Sequence, residues 1–92
     1  MIGIYKIENK INKRVYIGQS TDIQKRWKDH INNCNASKYN YAIYVAMRKY
    51  GIENFTFEIL EECPKDKLSE REKYWIDFYE TNTYGYNIKS GG

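Results

Sequence analysis

The sequence predicts an α+β fold, and three patterns carry that expectation. Two Ile-, Val- and Tyr-rich segments, 2–8 and 14–19, flank a polar stretch and read as a β-hairpin. Three later segments, 23–34, 41–50 and 68–79, repeat apolar residues at helical spacing. Between the last two of these, FTFEILEEC (55–63) alternates as a strand does, and Pro64 stops it.

In the hairpin, pairing about the loop sets Tyr5 opposite Tyr16, Gly3 opposite Gly18, Ile4 opposite Ile17 and Glu8 opposite Lys13. Both tyrosines then project from one face, and Ile4 and Ile17 from the other. The first helix opens at Ser20-Thr21-Asp22, where Thr21 and Gln24 fit a capping box. Its apolar stripe is Ile23, Trp27, Ile31 and Cys34. The second helix carries Ile43, Ala46, Met47 and Tyr50 on one face, with Gly51 as its C-terminal cap. In the following strand Phe55, Phe57, Ile59 and Glu61 share a face. Leu68, Trp75, Ile76 and Tyr79 form an arc of roughly 100° on the third helix, and YGYNI ends the pattern as a turn. No repeat or internal boundary divides residues 1–92, which read as one domain.

Composition narrows the class. The chain is 41% hydrophobic and 29% charged, which suits a soluble globular domain rather than a disordered one. No apolar run approaches a membrane span, and the expected location is cytoplasmic. Cys34 and Cys63 lack metal-ligand spacing and read as small buried residues. Ten tyrosines against three phenylalanines favour half-buried positions where a phenol reaches solvent, a site or a nucleic acid. A net charge of +3 mildly favours a polyanionic partner.

Three helical positions break the pattern of a pure core. Glu72 lies inside the apolar arc of the third helix, where an unpaired carboxylate is costly. Ser69-x-x-Glu72 also fits a capping box, so a cap and a functional carboxylate both explain it. Arg26 and His30, four apart on the first helix, flank its stripe on one side. Alone, each fits an ordinary surface arginine or a satisfied structural histidine; together they point one way.

Six segments in order then resemble the GIY-YIG nuclease family: GIY (3–5), YIG (16–18), RWKDH (26–30), KYGIENF (49–55), EREKYWI (70–76) and GYNI (85–88). The similarity is strongest to the catalytic domains of phage and intron homing endonucleases. It implies a small three-stranded antiparallel sheet with three main helices packed around it, and a metal-dependent endonuclease that hydrolyses double-stranded DNA. By the same resemblance Tyr5 and Tyr16 contact the scissile phosphate or the attacking water, and Gly18 leaves room beside them. Arg26 stabilises phosphate charge, His30 assists proton transfer, Glu72 binds the metal, and Asn87 lines the site. Lys25 and Lys28 are assigned, with Gly18, to substrate binding.

Hydrolysis of a phosphodiester needs an activated water, stabilised charge and a protonated leaving oxygen. Arg26 suits the charge, as a planar fork of donors. With one site carboxylate, the expected cofactor is one divalent cation, Mg²⁺ or Mn²⁺. A tyrosine base must overcome an ordinary pKa near ~10; Tyr5 is the expected base and Tyr16 its partner, although the residues do not separate the two. The rival classes are a repair or restriction nuclease of the same family and a non-catalytic nucleic-acid module. The last leaves Glu72 unexplained, because a bare carboxylate repels phosphate. The chain stops after the final family segment, so the expectation is a monomeric catalytic domain from a longer protein with a linked DNA-binding region, acting in the phage or bacterial host cytoplasm.

Overall fold

The computed structural model describes residues 1–35 and 41–87; Ile88 of the GYNI segment lies outside them. Strands β1 (Gly3–Asn9), β2 (Val15–Ser20) and β3 (Phe55–Glu62) form one antiparallel sheet in the order β2-β1-β3. Helices α1 (Ile23–Cys34), α2 (Ala42–Tyr50), α3 (Leu68–Tyr79) and the single turn α4 (Thr81–Tyr84) complete it.

The sheet separates two apolar layers. Tyr5, Ile7 and Phe55 face Ile23 of α1 and Ile43 and Met47 of α2. Ile4, Val15 and Ile17, on the other face, meet Leu68, Trp75 and Ile76 of α3. Period-two alternation along β1 and β2 assigns each residue to its layer. Cys34 and Cys63 are buried and unpaired, one in each layer.

The hairpin register differs from the expected one by two residues: Tyr5 pairs with Gly18, Ile7 with Tyr16, Glu8 with Val15 and Gly3 with Ser20. The loop explains the shift. Asn9 N–H donates to Arg14 O and Lys13 N–H to Asn9 O, closing residues 10–13 as a tight loop. Lys13 adopts a left-handed φ of 66°, and Asn9 and Asn12 side chains accept from the Ile11 and Arg14 amides. An even shift preserves faces, so Tyr5 and Tyr16 still share one.

Three local expectations need correction. Asp22, not Thr21, caps α1, accepting from Lys25 N–H. The buried stripe of α1 includes His30, whereas Ile31 is 40% exposed. A β-bulge between Ile4 and Tyr5 on the β1–β3 ladder pairs Tyr5 with Ile59 but Ile4 with Glu61. Glu61 therefore leaves the Phe55/Phe57/Ile59 face for the α3 layer, where Arg71 and Trp75 donate to its carboxylate.

Candidate active site

The site lies at β2, an edge strand with one layer on each side. From β1, Tyr5 projects across β2 directly over Gly18. A Cβ built at Gly18 would sit 2.3 Å from Tyr5 Cζ, so only glycine admits the ring. Tyr16, from the same face of β2, holds its ring centroid 6.4 Å from that of Tyr5. The shared face expected of the tyrosines thus forms, with a diagonal rather than a direct pairing.

Helix α1 supplies the polar groups above this face. Trp27 packs edge-on against Tyr5 and Phe57 and seats the helix on the sheet. One residue before it, Arg26 is half-buried and lies beside both phenols, its cation acting on the Tyr5 and Tyr16 hydroxyls. One turn on, His30 is 1% exposed, with Nε2 2.6 Å from Tyr5 Oη and Nδ1 2.9 Å from Tyr44 Oη. Tyr44, on α2, is 3% exposed. Nothing in the spacing of α2 marked it; the surplus of tyrosine was the only signal.

Burial sets the charges. It pushes the Tyr5 phenol far up, with Tyr16 adding to the shift and Arg26 opposing it. Burial likewise raises Tyr16, again against Arg26, while Tyr44 and the Glu72 carboxylate raise it further. Burial also lowers His30 to about 4, and the nearby Arg26 cation contributes. At neutral pH Tyr5 and Tyr16 are neutral phenols and His30 a neutral imidazole, beside the Arg26 guanidinium.

The two tyrosines differ in access. Tyr5 is 0% exposed, whereas Tyr16 is half-buried. A phenol sealed from solvent cannot take a proton from water directly. Tyr5, the expected base, is thus the inner of the two phenols, and Tyr16 takes the outward position.

Glu72 approaches from α3, in the opposite layer. The capping-box reading fails: α3 begins at Leu68, and neither Ser69 nor Glu72 caps it. Burial raises the pKa of the Glu72 carboxylate, and the nearby Gln19 side chain of β2 opposes that rise. Among the described residues it has no ion-pair partner. Nor do three or more His, Cys, Asp or Glu side chains cluster there. One half-buried, unpaired carboxylate fits a single hard divalent cation completed by waters and a phosphate oxygen, and does not fit a multi-carboxylate centre.

Of the other expected site residues, Asn87 does not reach the phenols with its amide. Its Oδ1 accepts from Ile17 N–H at 2.7 Å and its Nδ2 donates to Ile17 O at 2.9 Å, holding β2 between Tyr16 and Gly18. Lys25 and Lys28 are exposed on α1 and join none of the hydrogen bonds of the cluster.

Residues 1–87 match the family model of the GIY-YIG catalytic domain. The chain is 39% identical over 92 residues to intron-associated endonuclease 1 of Enterobacteria phage T4, covering 94% of this chain and 36% of that protein. It thus spans about a third of that relative. The solved catalytic domain of homing endonuclease I-TevI superposes with a TM-score of 0.88 at 35% identity, over 98% of this chain and all of that one. A second structure of that domain, a mutant, gives 0.86 at 37% identity over 95% of this chain and 92% of that one. The chain belongs to the GIY-YIG catalytic domain family.

Proposed function

We propose that the chain is the catalytic domain of a homing-type endonuclease that hydrolyses phosphodiester bonds of double-stranded DNA with one divalent cation, Mg²⁺ or Mn²⁺. The observation that supports it most directly is a guanidinium set beside two phenols, one buried and one half-buried, with an unpaired carboxylate across the same edge strand. Phosphoryl chemistry needs that combination of a fixed cation and a metal-ready anion.

Arg26 presents its remaining donors to the phosphate and stabilises the charge that gathers there. Tyr16, the half-buried phenol on the Glu72 side, holds the attacking water. Tyr5 and His30 fix Arg26 from beneath. Glu72 would hold the cation, which when bound lowers the pKa of a coordinated water and offsets phosphate charge. Lys25 and Lys28 extend the positive surface of α1 along the DNA backbone. In the natural setting the domain acts as a monomer joined to a DNA-binding region, in the host cytoplasm.

Supercoiled plasmid, incubated with the wild type and with Glu72→Gln, with and without Mg²⁺, tests this reading. Cleavage should require Mg²⁺, stop with chelator and vanish in the variant. Because Gln removes a desolvated carboxylate with no ion pair, the metal-free variant should melt at or above the wild-type temperature. Retained metal-dependent cleavage by Glu72→Gln would remove the metal assignment.

A further inference from the structure

His30 bridges two phenols, and only one of its ring nitrogens can carry a proton when the imidazole is neutral. The direction of the bridge follows from counting hydrogens. The Tyr5 hydroxyl hydrogen is sealed inside the protein, with the residue 0% exposed. A buried hydroxyl hydrogen needs an acceptor. The one at hand among the described residues is His30 Nε2, 2.6 Å away. Nε2 is therefore bare, the proton sits on Nδ1, and Nδ1–H donates to Tyr44 Oη at 2.9 Å.

We propose that Tyr44 is the positioning residue of the site: its hydroxyl oxygen takes the Nδ1 hydrogen, fixes the His30 tautomer, and thereby directs Tyr5 Oη and the Arg26 guanidinium. The chain of bonds runs from Tyr44 of α2 through His30 of α1 to Tyr5 of β1, and Arg26 of α1 lies beside its end. It leaves both lone pairs of Tyr5 Oη free to face Arg26, since the Tyr5 hydrogen has gone to His30. Tyr44 is 3% exposed and acts from inside the protein. Its effect reaches the phosphate through three intervening side chains, as an outer partner orients a ligating histidine. Packing adds to the restraint, because the His30 ring lies 5.6 Å from that of Tyr44 and 5.4 Å from that of Tyr16, centroid to centroid. The role in turnover rests on the nuclease reading above; the tautomer does not.

His30 is the chain's single histidine, so the imidazole ¹⁵N resonances need no assignment. In the wild-type chain at neutral pH they should show Nδ1 protonated and Nε2 bare. Tyr44→Phe keeps the ring but removes the acceptor, and its spectrum should move to a tautomer mixture or to Nε2–H. In the plasmid assay kcat should fall about tenfold to a hundredfold, with KM for DNA unchanged. An Nε2–H tautomer in the wild type would overturn the proposal without any variant. So would a Tyr44→Phe protein with the wild-type spectrum, or with a shifted spectrum and undiminished kcat. A wild-type chain with the stated tautomer and no cleavage activity would instead count against the nuclease reading alone.

Discussion

Tyr5 and Tyr16 carry the same functional group on the same face of one sheet, yet their surroundings divide the labour. The buried Tyr5 hydroxyl is bonded to His30 and lies beside the Arg26 cation. Tyr16 also lies beside Arg26 but keeps solvent access and lies within the field of Glu72. Replacing Tyr16 by Phe should reduce turnover at least ~100-fold, the usual size of a positioned proton-transfer group, with little change in melting temperature. Tyr5→Phe should cost turnover too. It should also destabilise by about 1–3 kcal/mol, because His30 Nε2 loses its buried partner. Single-turnover cleavage and thermal melts of both variants make the comparison. Equal stability losses, or wild-type cleavage by Tyr16→Phe, would contradict the division. Arg26, His30 and Glu72 were legible as departures from apolar stripes. Tyr44 and Gln19 were not, because a partner's role depends on which helix is laid over which strand.

Strand β2 is where the elements meet, and Gly18 is its most constrained position. A methyl group there meets the Tyr5 ring at 2.3 Å, far inside van der Waals contact. Gly18→Ala should therefore displace the ring, break its bond to His30 and cost about 1–3 kcal/mol by overpacking. Cleavage should fall as far as in Tyr5→Phe. A crystal structure or melt showing Tyr5 undisturbed would refute this. The boundaries of α3 were legible from hydrophobic spacing to the residue. The hairpin register was not, since it depends on Lys13 entering the left-handed region and on two asparagine side chains closing the loop. Likewise, a helical wheel ranks Ile31 above His30 by hydrophobicity. Tyr5 of the sheet and Tyr44 of α2 instead offer His30 two phenols, which satisfy the buried imidazole.

At the scale of the whole molecule, the buried imidazole links folding to pH. His30 titrates near 4 in the fold against 6.5 for a free imidazole. The unfolded chain binds the proton first, so the contribution is complete above about pH 6.5 and is lost as pH falls toward 4. The difference corresponds to roughly 3 kcal/mol. Melts between pH 7 and pH 4 should show this loss in the wild type and a flatter profile in His30→Gln. Parallel profiles would rule it out. The overall α+β class and layer assignment were legible in the sequence, because period-two and helical spacing survive errors of register. The Asn87 bonds to Ile17 have a further consequence, for how the molecule avoids its own kind. Ile17 lies on the open edge of the sheet, where an unpaired N–H and C=O invite a strand from another copy. By occupying both groups, one side chain stands where a fourth strand would add, and the edge is closed to recruitment. Asn87→Ala should reopen it, giving concentration-dependent dimers or aggregates by light scattering. A variant that stays monomeric at high concentration would show that the edge needs no such guard.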